Sequence, residues 1–133
     1  MQSLLHGIEA IFIPIKDPQL SAKWYEEKLG FKLLYIEEDA AVMKIAERSA
    51  TVVCLVKTEN HQPLHFPVNH FGVGKYYDFL SSSIEVTYQS LVEQQVNVNP
   101  LGGEGQTKFF TFYDLDGNPL GVCQSKAGHC YKQ

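Results

Sequence analysis

The sequence predicts an α+β fold: two βαβββ modules side by side, forming one curved mixed sheet, a cup with its helices on the convex face. Three observations lead there. The order strand, helix, three strands occurs twice in 133 residues, each copy taking about half the chain. A stretch with two Pro, three His and two Asn, residues 58–70, separates the copies. The composition, 44% hydrophobic and 20% charged, is that of a packed globular chain. A four-stranded unit with one helix cannot close on itself, so two units are expected to share one domain whose concave face suits a small molecule.

The elements follow in order. Residues 8–15, IEAIFIPI, are β-branched and aromatic and read as a strand, with Pro14 near its edge or end. Asp17-Pro18 opens a helix, Asp17 as N-cap and Pro18 at the first helical position. Its apolar face is expected to hold Leu20, Trp24, Tyr25 and Leu29, with Lys23, Glu26 and Glu27 outward, and Gly30 ends it. Strands are predicted at 31–38, 40–46 and 51–57, broken by polar turns.

In the second copy, 75–82 alternates like a strand and 84–96 reads as a helix with Ile84, Tyr88, Leu91 and Val92 on one face. Extended chain restarts at 96–98. Gly102, Gly103 and Gly105 read as a flexible loop. Strands at 108–114 and 119–125 are joined by Leu115-Asp116-Gly117-Asn118, whose Asp-Gly and Gly-Asn steps favour a tight turn. The expected organisation is one domain over 1–133: module 8–57, linker 58–74, module 75–125 and a frayed tail 126–133.

Charge and cysteine usage exclude several roles. Eleven Lys and Arg against fifteen Asp and Glu give a net charge of −4, with the basic residues scattered singly. No basic footprint for nucleic acid or an anionic membrane surface results. No apolar run approaches the ~18–20 residues of a membrane span. Three Cys, with no CxxC, fit reduced thiols in a cytoplasmic protein.

Several motifs resemble a known family. Phe12-Ile-Pro-Ile-Lys-Asp17, Ser21-Ala-Lys-Trp-Tyr25 and Lys28-Leu-Gly-Phe31 resemble the opening of vicinal-oxygen-chelate proteins, the glyoxalase/bleomycin resistance protein/dioxygenase group. Phe112-Tyr-Asp-Leu-Asp-Gly-Asn118 resembles its closing hairpin, with Leu115 where Pro is usual. The resemblance spans roughly residues 8–125 and implies the glyoxalase/bleomycin resistance-like fold and a homodimer. Exposed strand edges also favour pairing.

Metal-dependent members of that family offer one ligand from each of four strands. Carried onto this chain, the first position, usually His seven residues before the strand-ending Asp, is Ala10. The second lies near Val53 or Cys54, the third near Tyr76, and the fourth, usually Glu four residues after the turn Gly, is Gly121. Ala, Val and Gly bind no metal, and a lone Cys or Tyr is a poor divalent site. No cofactor is therefore expected; the alternative is a divalent ion held, in a shifted register, by His6, His65 and His70.

By strand alternation the expected cup residues are Phe12, Tyr76, Asp78, Leu80, Gly121 and Cys123. Phe12 and Tyr76 would stack on a planar ligand, Asp78 would meet a cation or donor, and Gly121 would enlarge the floor. Each has a plainer reading: Phe12 as core filling, Asp78 as a solvated edge residue, Cys123 as a small buried apolar residue, and Tyr77 and Phe79 in place of Tyr76 if the register slips by one. Three hypotheses follow: a metal-free cup that sequesters a small, aromatic or amphipathic molecule; a metal-dependent lyase, dioxygenase or thiol transferase; or a dimer whose cup is filled by its own side chains.

Overall fold

The Asp17-Pro18 pair organises the first unit. In the computed structural model, which describes residues 1–125, β1 (Ala10–Ile15) leads into α1 (Pro18–Leu29). Asp17 Oδ1 accepts from the Gln19 and Leu20 N–H groups at 2.9 and 3.1 Å, satisfying helix donors that have no partner of their own. Gly30, at φ 78°, closes the helix in the left-handed conformation a glycine adopts without penalty.

β2 (Lys32–Ile36), β3 (Ala40–Lys44) and β4 (Val52–Lys57) complete a sheet of order β1-β4-β3-β2. β1 runs parallel to β4 and the other pairs are antiparallel. Alternation buries Ile13, Ile15, Val53, Leu55, Ala41 and Met43 on one face, and α1 packs against β2, β3 and β4. The helix seats itself with Ser21, Ala22 and Tyr25, whereas Leu20, expected on the core face, is 60% exposed. Small residues at 21 and 22 let the backbone approach the sheet, and that approach rotates Leu20 outward. Tyr25 anchors the contact, its ring centroid 5.6 Å from that of Phe31.

The second unit begins at Pro63, inside the stretch that the sequence marks as linker. Its sheet has the order β5-β8-β7-β6, from β5 (Asp78–Leu80), β6 (Gly102–Glu104), β7 (Thr107–Tyr113) and β8 (Pro119–Ser125). The strands thus form two four-stranded mixed sheets, one in each βαβββ module, the α+β class that the sequence predicts. β5 is parallel to β8, so the β-α-β-β-β order is the same in both units.

Three further differences from expectation arise here. The strand predicted at 75–82 shrinks to three residues because β8 pairs only with Asp78, Phe79 and Leu80. The glycine-rich loop contains a strand, β6: Gly102 faces Phe109, whose ring covers the space a Cβ would take at 3.1 Å. Helix α2 (Ile84–Glu93) stops short of 96, since Gln95 takes a positive φ of 63°.

α2 packs on β7 and β8, with Tyr88 edge-on to Phe110 at 5.0 Å between centroids and Ile84 and Leu91 buried. Val92, expected on that face, is exposed. The β7–β8 turn is built by Asp114, whose Oδ1 accepts from Asp116 and Asn118 N–H, each at 2.9 Å, while Gly117 supplies φ 82°. No helix among the described residues is long and apolar enough to cross a membrane. The expected tail, 126–133, lies outside the described residues.

Candidate functional site

Each sheet has one face under its helix and one face away from it. In the first unit the latter carries a row across all four strands: Phe12, Cys54, Val42 and Tyr35, each in register with the next. Phe12 and Tyr35 are exposed, Cys54 is half-buried and Val42 is buried. The row is apolar except for the thiol. Burial pushes the Cys54 thiol up from its ordinary range, and the Glu37 carboxylate adds to the rise, so Cys54 is held protonated at neutral pH. Of the two candidates at this position, Cys54 shares the face of Ala10 and Phe12, and Val53 lies in the core.

Two hollows of about 440 and 380 Å³ also lie on the first unit, beside α1. The larger is lined by Lys16, Asp17, Glu37, Glu38 and Lys57, exposed side chains of both signs, and Asp17 there is engaged in capping the helix.

The open face of the second unit is chemically richer. Leu80, Cys123, Phe109 and Gly102 stand in register in one row, and Asp78, Gly121 and Thr111 in the next. Gly121 is buried, and a Cβ on it would lie 1.9 Å from Asp78 Oδ1 and 2.2 Å from Lys75 Cε. The missing side chain is therefore what admits the Lys75–Asp78 ion pair, Nζ to Oδ1 3.6 Å, with both side chains only 16–17% exposed. The pair sits where metal-dependent relatives, by the resemblance above, project a carboxylate.

Next to it lies a hollow of about 210 Å³, lined by Phe71, Gly72, Val73, Lys75, Thr107, Phe109 and Cys123. The loop that supplies Phe71 and Lys75 is held shut by Asn69. Its Nδ2 donates to the carbonyls of Pro67 and Val73, at 2.9 and 2.8 Å, and its Oδ1 accepts from Val73 N–H at 3.2 Å. One amide side chain thus closes both ends of a five-residue turn, which fixes where the next residues emerge.

The sequence-predicted residues are distributed as follows. Phe12 belongs to the first unit. Asp78, Gly121 and Cys123 come together on one face of the second. Tyr76 precedes β5, so strand alternation does not govern it: its hydroxyl donates to the His65 carbonyl at 3.2 Å and its ring lies 4.9 Å from Phe66. Cys123 is disulfide-bonded, a correction to the reading of three reduced thiols; Cys54 is free.

His65 and His70 lie in the loop before β5 and His6 before β1, all exposed, so the register that would place His65 or His70 on the fifth strand does not occur. Among the described residues no three His, Cys, Asp or Glu side chains gather to hold a metal ion. Lys75, Phe71 and Phe109 went unread in the sequence. The Lys75-to-Asp78 spacing is visible, but the glycine that admits the pair is 43 residues beyond Asp78 and is joined to it only by strand pairing.

Residues 7–122 match the family described as the Glyoxalase/Bleomycin resistance protein/Dioxygenase superfamily. Among curated proteins, none matches the chain. Solved structures similar in fold include TnmS3, an antibiotic binding protein from Streptomyces sp. CB03234, at TM-score 0.75 and 19% identity over 94% of this chain and all of that one. A glyoxalase family protein from Enterococcus faecalis aligns at 0.72 and 22% over 92% of this chain and all of that one. A glyoxylase/bleomycin resistance protein/dioxygenase domain from Frankia sp. EAN1pec aligns at 0.67 and 18%, over 92% and 99%. At these identities the likeness concerns the fold.

Proposed function

Since the chain belongs to the Glyoxalase/Bleomycin resistance protein/Dioxygenase superfamily, we propose that it binds a small aromatic molecule without a metal and sequesters it unchanged. The observation that carries this reading is the Lys75–Asp78 pair over Gly121. A divalent site needs converging His or carboxylate donors. Here the position that would supply a carboxylate has no side chain, the space is filled by an Asp78 carboxylate oxygen and the Lys75 stem, and the Lys75 ammonium group 3.6 Å from that oxygen already balances its charge. Ala10, at the first ligand position, offers no donor either. These residues do not fit the family's metal.

What the faces do offer is stacking and shape. Phe71 and Phe109 wall the hollow of the second unit, and Phe12 and Tyr35 stand exposed on the first. Exposed aromatic rings gain free energy by covering a planar apolar ligand. The fold relative TnmS3, an antibiotic binding protein, supports a small-molecule occupant. The homodimer implied by the resemblance is part of this proposal, and light scattering reads it.

The test is a thermal-shift screen of polycyclic aromatic antibiotics on untagged protein, with and without a chelator, alongside elemental analysis. A ligand at 100 times its Kd stabilises by about 2.7 kcal/mol. The expected result is a chelator-insensitive shift with the ligand recovered intact. A stoichiometric divalent ion whose removal abolishes binding overturns the proposal, as does an absence of any shift across the panel.

A further inference from the structure

We infer that the hollow between Phe71 and Phe109 is a subsite for a single aromatic ring bearing an acidic oxygen, a carboxylate or phenolate, received by the Lys75 ammonium group. This rests on the binding reading above and specifies which part of a ligand the second unit takes. At about 210 Å³ the hollow is smaller than the ~300–1,000 Å³ of a site for a whole drug-sized molecule. It therefore suits one ring of a larger ligand, or a monocyclic acid.

The charge inside it has a definite sign. Lys75 lines the hollow, whereas Asp78 does not. The Asp78 carboxylate pairs with the ammonium group at 3.6 Å, while the lysine stem rests over the bare Cα of Gly121. A charge-assisted N–H···O bond is ~2.7–2.9 Å long, and the Nζ–Oδ1 separation is 3.6 Å. The three ammonium donors are thus not consumed by Asp78. Among the described residues no hydrogen bond to Lys75 Nζ is found.

A largely desolvated cation with donors to spare, lining a hollow walled by Phe71 and Phe109, selects an anion over a neutral isostere of the same shape, because the anion forms charge-assisted bonds with it. Gly121 is then the residue that sets the specificity, since any side chain there displaces Lys75. Asn69 acts as a positioning residue by fixing the loop that delivers Phe71 and Lys75.

The experiment measures binding of benzoate and benzamide to the full chain by ligand-observed NMR and calorimetry. Wild type is expected to bind benzoate at least about ten-fold more tightly than benzamide, which corresponds to 1.4 kcal/mol. Lys75→Met is expected to remove that preference, bringing the two affinities together. Because Lys75→Met strands the Asp78 carboxylate, the double variant Lys75→Met/Asp78→Asn serves as the second, charge-balanced probe and is expected to behave alike. Equal affinity for the two probes in wild type, or a preference that survives in both variants, overturns the subsite. It leaves the binding reading intact if the antibiotic panel still shifts the melting temperature. Failure of benzoate to bind at millimolar concentration also overturns it, and failure of the panel besides removes the reading on which it rests.

Discussion

The two helices begin in different ways, and the contrast extends through both units. α1 is capped by its own neighbour, Asp17, two and three residues from the donors it satisfies. Ser83, at the same place before α2, makes no side-chain cap. Instead the Ile84 N–H donates to Oε1 of buried Gln124, 40 residues further along, at 2.6 Å. The turn before β8 repeats the pattern. Asn118, fully buried, accepts from Leu64 N–H at 2.8 Å and donates from Nδ2 to Asp114 Oδ2 at 3.0 Å. Local sequence supplies the start of the first unit's helix, whereas buried amide side chains from distant positions supply the start of α2 and brace the turn before β8. The second unit should therefore lose more when one polar group is removed.

Three substitutions test that contrast. Asn118→Ala removes the bonds to the Leu64 N–H and to Asp114 Oδ2 from a fully buried site, and we expect a loss of about 3 kcal/mol by urea denaturation. Asp17→Ala should cost about 1 kcal/mol, since solvent reaches the exposed donors it frees. A larger loss for Asp17→Ala than for Asn118→Ala breaks the comparison. Gln124→Leu falls between them, at about 2 kcal/mol, because it strands one buried N–H; a neutral result there means that α2 needs no cap from β8.

The smallest effect concerns the thiol of the first unit. A raised pKa means less thiolate at any given pH, so iodoacetamide should modify Cys54 more slowly in the folded than in the unfolded chain. The rate should keep climbing with pH beyond the point where an ordinary thiol levels off. Glu37→Gln removes the lesser of the two causes and should speed the reaction modestly at fixed pH, read by mass spectrometry of the adduct. Unchanged or slower labelling in that variant places the whole effect in burial.

Much of the fold is legible in the chain because its signals are local. Asp17-Pro18, Gly30 and the Asp-Leu-Asp-Gly-Asn turn each act within four residues, and each appears where the spacing puts it. The helix face was misjudged for a tertiary reason: Ser21 and Ala22 carry no strong apolar signal, but their small volume sets how closely α1 approaches the sheet. β6 was hidden because glycines read as loop when the ring that covers one of them, Phe109, lies on a neighbouring strand. The candidate site was half legible. Asp78, Gly121 and Cys123 fall on one face as alternation requires, but Lys75 could be placed only once β5 and β8 were paired.

The rims of the two sheets bear on how copies of the chain meet. In the first sheet the outer strands are β1, interrupted by Pro14, and β2, whose register shifts between Leu33 and Tyr35. In the second, the outer strands β5 and β6 are three residues each. An incoming strand needs a straight run of unpaired N–H and C=O groups, and a proline, a bulge and short length each remove it. Among the described residues, strand addition is thus discouraged at the outer strands of both sheets, contrary to the edge pairing expected from the sequence, and ordered stacking of copies at high concentration should be slow.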